Sequence, residues 1–481
     1  MALLKGYLMP HAPAFIDSIG EDQLHQVSST RSAMYKVAEE IAQLRPDVII
    51  VISPHGPIFS DAIAIYDQNT YFGNFKAFGE YNLNYHFEKD TTFINSFKAF
   101  NKSEQGDFYC LNERQFKEFN TPEALDHGVL VPLHFISQRY NDFKLVAMSY
   151  GTFSYYRLMK NGELLSDFIS QTNKRVVVIA SGDMSHALKD SGPYAFHEDG
   201  RKFDQEMQKQ LQANKPYEVF KLPRDIIENA KECGLRAYAL LMGMLNLYKL
   251  NTVMYSYEAP FGVGYLVASL EILNESKVDE VERLSEFYKQ RHAELRKNED
   301  DLVTFTRRVI EAYTITGKRP IVSFKDDRIT INDLVVRSNR FKQMSQIERG
   351  CFVSLNIEGS LRGCIGTIAA TEQNVIYEIA KNAVSACSKD SRFSPVTIDE
   401  LDSIEVKVDI LSELNPVLNI NQLNPRSYGI VVRKGYMQGL LLPNLDGINT
   451  VEQQLEIASS KGGFTVDEIE EILYFSVDRY Q

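Results

Sequence analysis

Residues 175–186, RVVVIASGDMSH, constrain the fold of this chain more than any other stretch. An unbroken apolar run between a charged residue and a glycine is typical of a strand that is buried on both faces of a mostly parallel sheet. Ligands of such sheets bind beyond the carboxyl ends of the strands. The polar residues that follow the run, among them Ser181, Asp183 and His186, are therefore expected to line a binding site.

Two other apolar stretches end at a histidine in the same way. Residues 3–10 lead to His11 in LLKGYLMPHAP, and residues 47–53 lead to His55 in DVIIVISPHG. Prolines beside both histidines fix the local backbone. If these strands are parallel neighbours of the strand before His186, the three imidazoles meet at one edge of the sheet.

Composition narrows the classes of protein that this chain can belong to. With 481 residues the chain is expected to form two or three domains. A net charge of −12 argues against nucleic-acid or anionic-membrane partners. No apolar run is long enough to span a bilayer, and the chain enters a strand without a charged signal region, so a cytoplasmic location is predicted. Five widely spaced cysteines without a CxxC pair indicate reduced thiols.

The order of strand and helix patterns predicts two domains of different class. Residues 1–275 alternate strands and helices, which is typical of an α/β domain with a mostly parallel central sheet flanked by helices. Residues 276–300 are densely charged and predict a linker helix. Residues 301–481 predict a smaller α+β domain with a largely antiparallel sheet. The predicted helices cover 29–45, 154–172, 200–213, 302–314, 374–388 and 450–459.

The histidines at the strand ends indicate a metal site. Neutral imidazole is the commonest metal ligand, and two histidines with one carboxylate leave coordination positions open on Fe(II) for a chelating substrate and dioxygen. Glu232, a candidate third ligand, lies at the N-terminal edge of an apolar helix, a position that favours a negative charge and allows the side chain to face a cleft. The alternative for Glu232 is a glutamate that only starts the helix. The candidates for this third position are Asp183, Glu232, Glu258 and, as a soft ligand, Cys233.

Several motifs together resemble the LigB-type family, the class III extradiol ring-cleavage dioxygenases, and the related Memo proteins. They are MPHAP, SPHG, DHGVLVPL, SGDMSH and ECGLRAYALL, and the resemblance covers roughly residues 1–275. It implies that non-haem iron is held by His11, His55 and Glu232. A catechol-like aromatic and dioxygen would be the substrates.

The resemblance also implies catalytic roles for residues around the metal. His186 would act as acid and base on the substrate, and His127 of the DHG motif would line the site. Asp183 or Asp126 could set the tautomer of a histidine through a hydrogen bond. In Memo-like relatives a cysteine takes the third ligand position. With Cys233 in that place, ring cleavage loses support, and redox chemistry or metal binding gains ground.

The second part of the chain contains a different motif, RGCFVSLNIEGSLRGCIGT over residues 349–367. With KDSRFSPV and GLLLP it resembles the AMMECR family over about residues 300–481, a resemblance that implies a fold and no reaction. Cys364, Arg362 and Arg392 are candidate site residues because glycines leave the thiol approachable and arginine binds anions bidentately. The alternative is a buried cysteine on a strand whose glycines serve a tight turn.

Three functions remain open from the sequence. The first is an Fe(II)-dependent extradiol-type dioxygenase, and the second is a zinc-dependent hydrolase that uses the same ligands with His186 as base. The third is a metal-binding protein without turnover that assists a radical-SAM protein, because the two resemblances together match components of the AmmeMemoRadiSam set. Assembly into a homo-oligomer is left open.

Overall fold

The computed structural model describes residues 2–325, 327–357, 360–445, 448 and 450–481. It divides into two compact units, Met1–Tyr288 and Lys289–Gln481. The division falls within a charged helix, Glu280–Lys297, whose residues Val281, Leu284 and Tyr288 are buried in the core of the first unit. No helix among the described residues has the length and apolar character that crossing a membrane requires.

The elements of the first unit alternate along the chain. The strands are β1 (Leu3–Met9), β2 (Val48–Ile52), β3 (Ile63–Tyr66), β4 (Tyr71–Phe75), β5 (Glu80–Phe87), β6 (Phe108–Leu111), β7 (Lys144–Met148), β8 (Val176–Ser181), β9 (Tyr248–Glu258) and β10 (Tyr265–Glu275). The helices are α1 (Asp17–Gly20), α2 (Ser28–Leu44), α3 (Thr91–Ser103), α4 (Glu113–Glu118), α5 (His127–Ser137), α6 (Tyr155–Ser170), α7 (Glu198–Gln212), α8 (Arg224–Ala230), α9 (Leu235–Met244) and α10 (Glu280–Lys297).

One large sheet organises this unit and confirms the predicted α/β class. Its eight strands follow the order β6-β3-β7-β2-β8-β1-β10-β9. The central strands β7, β2, β8 and β1 are parallel, and β10 joins β1 in the antiparallel sense. The hairpin of β4 and β5 forms a separate two-stranded sheet, for which the sequence pattern made no prediction.

The central strands are mostly apolar because both faces of the sheet are covered. β2 is apolar throughout, whereas β1 contains Lys5, β7 begins with Lys144 and β8 ends with Ser181. In β8, Val176, Val178 and Ala180 belong to a core that also contains buried residues of α6 and α9. Val177 and Ile179 belong to a second core that contains buried residues of α2 and α5. The continuous run of apolar residues thus reflects two hydrophobic layers. The predicted helices over 29–45, 154–172 and 200–213 correspond to α2, α6 and α7.

The second unit contains small antiparallel sheets, as predicted. Its strands are β11 (Val322–Lys325), β12 (Arg328–Ile331), β13 (Leu334–Arg337), β14 (Cys351–Ile357), β15 (Ser360–Gly366), β16 (Ile404–Leu411), β17 (Asn415–Pro416), β18 (Gly429–Lys434), β19 (Met437–Leu441), β20 (Glu471–Phe475) and β21 (Val477–Tyr480). Its helices are α11 (Asp301–Thr316), α12 (Phe341–Met344), α13 (Val375–Ser388) and α14 (Val451–Gly462). The sheets have the orders β11-β12-β13, β15-β14-β16-β21 and β17-β20-β18-β19.

The glycines of the LRGCIG motif serve packing in this unit. A Cβ atom on Gly363 would lie 2.3 Å from the carbonyl oxygen of Ala386, so α13 can approach β15 only because this position has no side chain. Cys364 follows on the same strand, and its thiol lies 3.2 Å from the Ser354 Oγ on β14.

Candidate metal centre

The carboxyl ends of three neighbouring parallel strands build the site. β8 lies between β2 and β1 and pairs with both in the parallel sense. His11 follows β1, His55 follows β2, and His186 follows β8. The strand-end pattern in the sequence therefore corresponds to one edge of one sheet, where ligands of such sheets bind.

Three side chains converge there with the spacing of metal ligands. The Nε2 atoms of His11 and His55 are 2.9 Å apart, and the Sγ of Cys233 is 3.7 Å from the Nε2 of His11. All three ligand atoms lie within 4.8 Å of one another. Metal bonds to nitrogen and sulfur are about 2.0–2.3 Å long, so donor atoms at these separations can share one ion.

A serine on β8 sets the tautomer of His11. The Oγ of Ser181 donates to the carbonyl oxygen of Gly128 at 2.6 Å, so it accepts from the Nδ1–H of His11, which lies 3.1 Å away. The Nε2 of His11 then keeps its lone pair, directed at His55 and Cys233. Burial lowers the pKa of His11 well below its ordinary value, so the ring is neutral, as a metal ligand requires. The sequence placed Ser181 in the site without assigning it this role.

The third member of the cluster differs from the ligand that the sequence favoured. The structure brings Cys233 to the two histidines and leaves Glu232 out of the cluster. The Oε2 of Glu232 instead accepts from the backbone N–H of Leu235 at 2.6 Å, at the start of α9. Neighbouring side chains in this turn point in different directions, and the helix N-terminus binds the carboxylate.

Two glycines explain how Cys233 reaches the edge of the sheet. A Cβ atom on Gly182 would lie 2.1 Å from the Cα of Gly234, so the turn after β8 and the turn before α9 touch through their backbones. In this arrangement the backbone N–H of Asp183 donates to the Sγ of Cys233, with an N–S distance of 3.3 Å. A side chain at Gly182 would force these two turns apart and move the thiol away from the histidines.

The remaining carboxylate candidates have structural partners. Glu258 accepts hydrogen bonds from the backbone N–H groups of Ser29 and Thr30 at the start of α2. Asp183 lies closer to the cluster, because its Oδ1 accepts from the backbone N–H of His11 at 2.9 Å and its Oδ2 is 3.9 Å from the His11 Nε2.

The donor set fits a divalent cation. Burial raises the pKa of Asp183 to about 7 and also raises the pKa of the Cys233 thiol. Buried acidic groups of this kind become stable in their charged form when a cation binds beside them. Two neutral imidazoles, one thiol and a nearby carboxyl are therefore suited to a transition metal.

His127 and His186 flank this cluster. The ring of His127 stacks on that of His55 at a centroid distance of 4.1 Å, and burial lowers its pKa to about 4. The Nδ1 of His186 is buried and has no hydrogen-bond partner among the described residues, and burial lowers the pKa of this ring as well. His186 is held by its backbone N–H, which donates to the carbonyl oxygen of Ala230 at 2.9 Å.

Asp126 holds the helix that carries His127. Its Oδ1 accepts from the backbone N–H of Gly128 at 2.8 Å and from the Oγ of Ser53 at 2.5 Å. The carboxylate therefore caps α5 instead of binding a ring nitrogen. The resemblance suggested that Asp126 or Asp183 sets the tautomer of a histidine. At His11, Ser181 has this role instead.

The candidate residues of the second unit form a network among themselves. Arg362 makes a bidentate ion pair with Glu400, with Nε–Oε1 and Nη2–Oε2 distances of 2.7 and 2.9 Å. Arg392 binds Asp390, whose Oδ2 also accepts from the backbone N–H of Cys364 at 2.8 Å. These contacts favour the structural interpretation of the motif.

Comparison with known proteins gives a match for each unit. Residues 5–268 match the family described as the catalytic LigB subunit of aromatic ring-opening dioxygenase, and residues 303–481 match AMMECR1. Protein CA_C1420 of Clostridium acetobutylicum is 35% identical over 483 residues, covering 100% of both chains. A protein of Thermotoga maritima is 44% identical over 185 residues, covering 38% of this chain and 98% of its own. The crystal structure of uncharacterized protein PH0010 from Pyrococcus horikoshii matches with 25% identity and a TM-score of 0.31, covering 37% of this chain and 88% of that chain.

Proposed function

Since the chain belongs to the family of the catalytic LigB subunit of aromatic ring-opening dioxygenases and carries an AMMECR1 domain, we propose that its first unit is a metal-dependent dioxygenase. Its substrate would be an aromatic compound that chelates the metal through adjacent oxygens, such as a catechol. The observation that carries the proposal is the convergence of the His11 and His55 Nε2 atoms, 2.9 Å apart, in a domain of this family. The Cys233 thiol stands where the resemblance implied a carboxylate, so it supports metal binding but counts against ring cleavage. Oxygen consumption therefore has to decide whether the bound metal makes a dioxygenase.

The residues of the cluster have distinct tasks in this proposal. His11, His55 and Cys233 would hold iron, and Ser181 keeps the His11 lone pair directed at it. Bound Fe(II) would supply open positions at which a chelating diol and dioxygen bind side by side, and the diol itself would supply the electrons that reduce dioxygen. His11 is 2% exposed whereas His55 is exposed, so the ligand atoms lie at the bottom of a site that is open on the His55 side.

Two further histidines are suited to moving the protons of the substrate. The lowered pKa of His186 leaves its ring neutral near pH 7, in the form that accepts a proton from a substrate hydroxyl. His127, stacked on His55, bounds the site on another side and would orient the substrate.

The Cys233 thiol favours a second candidate. Catalytic zinc sites hold the ion with three protein ligands and keep one position for water, and cysteine with histidine is one such set. With zinc bound, the same residues would make a hydrolase in which His186 accepts the proton of the attacking water. A zinc-dependent hydrolase would consume no dioxygen, which distinguishes it from the iron-dependent dioxygenase.

Iron loading under nitric oxide tests the leading proposal. Protein purified anaerobically and loaded with Fe(II) is expected to give the electron paramagnetic resonance signal of a high-spin iron–nitrosyl. The signal should be lost in His11→Ala and Cys233→Ala because each removes a ligand. Glu232→Gln is the matched control, since glutamine can still accept from the Leu235 N–H, and it should retain the signal.

Oxygen consumption then decides between the two activities. Addition of catechols to the iron-loaded protein is expected to consume dioxygen and form ring-opened products that absorb visible light. Tight retention of zinc, with hydrolysis and no oxygen uptake, would favour the second candidate. Retention of the iron signal in Cys233→Ala together with its loss in Glu232→Gln would contradict the ligand assignment.

A further inference from the structure

Two exposed aromatic side chains lie against the histidines of the metal centre. Phe78 is 41% exposed and Tyr194 is 52% exposed. The Phe78 ring meets the His127 ring edge to face at a centroid distance of 5.2 Å. The Tyr194 ring meets the His186 ring at 6.2 Å and an interplanar angle of 86°.

These two residues come from unrelated segments of the chain. Phe78 ends the short 3-10 helix Lys76–Phe78 at the tip of the β4–β5 hairpin. Tyr194 lies between β8 and α7, in a segment closed by the backbone hydrogen bond from the N–H of His197 to the carbonyl oxygen of Ala187. Both segments reach the carboxyl edge of the sheet, where the metal ligands lie.

The rings form two series that run from solvent toward the metal ligands. One series consists of Phe78, His127 and His55, and the other of Tyr194 and His186. A single exposed aromatic residue is ordinary on a protein surface. Two of them, each edge-on to a different histidine of one site, place apolar surface beside the side chains that a ligand of this site would contact.

We propose that Phe78 and Tyr194 form a ring-binding subsite at the entrance of the metal centre. The subsite would hold the aromatic ring of a ligand while its chelating oxygens face His11, His55 and Cys233. This orientation of the ligand rests on the proposed function, but binding of the ring itself requires no metal.

Aromatic ring contacts account for the selectivity of such a subsite. Aromatic pairs prefer edge-to-face or offset arrangements with centroids about 4.5–7 Å apart, the range in which Phe78 and Tyr194 already contact the histidines. An aliphatic ring of similar size buries comparable apolar area but lacks the quadrupole that favours this geometry. The subsite should therefore prefer aromatic over aliphatic ligands.

The test uses phenol and cyclohexanol with the metal-free full chain. Binding of each is measured by saturation-transfer difference NMR titration. Wild-type protein is expected to prefer phenol, and Phe78→Ala and Tyr194→Ala should each weaken phenol binding about two- to tenfold while changing cyclohexanol binding little. Tyr194→Phe keeps the ring and should retain the preference.

A matched control lies on the same hairpin. Tyr81 is 66% exposed, and Tyr81→Ala should leave phenol binding unchanged. Equal binding of phenol and cyclohexanol by wild type, unchanged phenol binding in both alanine variants, or an equal loss in Tyr81→Ala would overturn the subsite. Failure of the nitric oxide experiment would count against the proposed function alone, because the phenol titration contains no metal.

Discussion

At the scale of single residues, the direction of one side chain sets the donor atoms of the candidate metal centre. Cys233 points to His11, whereas the adjacent Glu232 binds the N–H of Leu235. A thiolate is a softer ligand than a carboxylate and favours transition metals such as iron, copper or zinc over magnesium and calcium. The choice between two neighbouring residues thus decides which ions the site prefers.

Ser181 is expected to tune the affinity of the site for metal. Ser181→Ala removes the group that accepts the His11 Nδ1–H, so the ring is no longer held in the tautomer that directs Nε2 at the ion. Loss of such a supporting hydrogen bond typically lowers metal affinity about 10- to 100-fold. Competition titration with a chromophoric zinc chelator measures this change.

The control for this prediction is Ser170→Ala, an exposed serine at the end of α6. Its zinc affinity should equal that of the wild type. An unchanged affinity in Ser181→Ala would mean that the orientation of His11 is determined by its other contacts.

At the scale of elements, Asp204 ties α7 to two other parts of the first unit. Its Oδ1 accepts from the backbone N–H of Ser185 in the turn after β8, and its Oδ2 accepts from the hydroxyl of Tyr257 on β9. The turn that leads to His186 is therefore held by a helix and a strand that do not contribute metal ligands.

Burial raises the pKa of Asp204 from 3.8 to about 7, which makes the stability of the metal-free protein depend on pH. A carboxyl whose folded-state pKa is raised contributes stability below its unfolded pKa, and this contribution is lost as the pH rises through the folded value. The asparagine side chain of the Asp204→Asn variant cannot ionise, and its oxygen can still accept from the backbone N–H of Ser185. At pH 8 the variant should be more stable than wild type by about 1–4 kcal/mol, and at pH 4 the difference should be small.

Urea unfolding followed by circular dichroism at both pH values checks this prediction. Asp190→Asn, which changes a carboxylate that accepts from the Phe196 N–H in an exposed segment, is the control. Equal pH dependence in wild type and Asp204→Asn would show that Asp204 remains charged in the folded protein.

The contact between α13 and β15 yields a prediction for the second unit. Gly363→Ala would place a methyl group 2.3 Å from the Ala386 carbonyl oxygen, so the helix must move away from the strand. We expect a loss of about 1–3 kcal/mol in the free energy of unfolding of this unit, measured by urea denaturation. Cys364→Ala adds no atoms at the neighbouring position and should cost less, and an equal cost would contradict the packing role of Gly363.

At the scale of the whole molecule, the candidate metal ligands belong to the first unit. One cluster of potential metal ligands is found among the described residues. It consists of His11, His55 and Cys233, which all lie within Met1–Tyr288. The AMMECR1 unit instead pairs its candidate arginines with its own carboxylates.

The full chain is therefore expected to bind about one equivalent of iron or zinc. A double variant, His11→Ala with His55→Ala, should bind none because only the thiol of the cluster remains. Inductively coupled plasma mass spectrometry of dialysed protein measures both ratios. A full equivalent retained in the double variant would locate a metal site elsewhere in the chain.

Much of the fold could be predicted because it depends on local patterns. The apolar runs before His11, His55 and Ser181 each correspond to a strand covered on both faces, and such runs are visible within a few residues of sequence. The β4–β5 hairpin was not predicted, since β5 alternates exposed and half-buried residues and has no apolar run. Phe78 at its tip was missed for the same reason.

The placement of histidines at the ends of buried parallel strands follows from the sequence alone, because hydrophobic periodicity and chain direction are local properties. The position of Cys233 beside them depends on the folded contact of Gly182 with Gly234, and the orientation of His11 depends on Ser181. These contacts join residues far apart in the chain, and the direction of a side chain in a turn depends on what packs against it. Periodicity carries no information about such contacts.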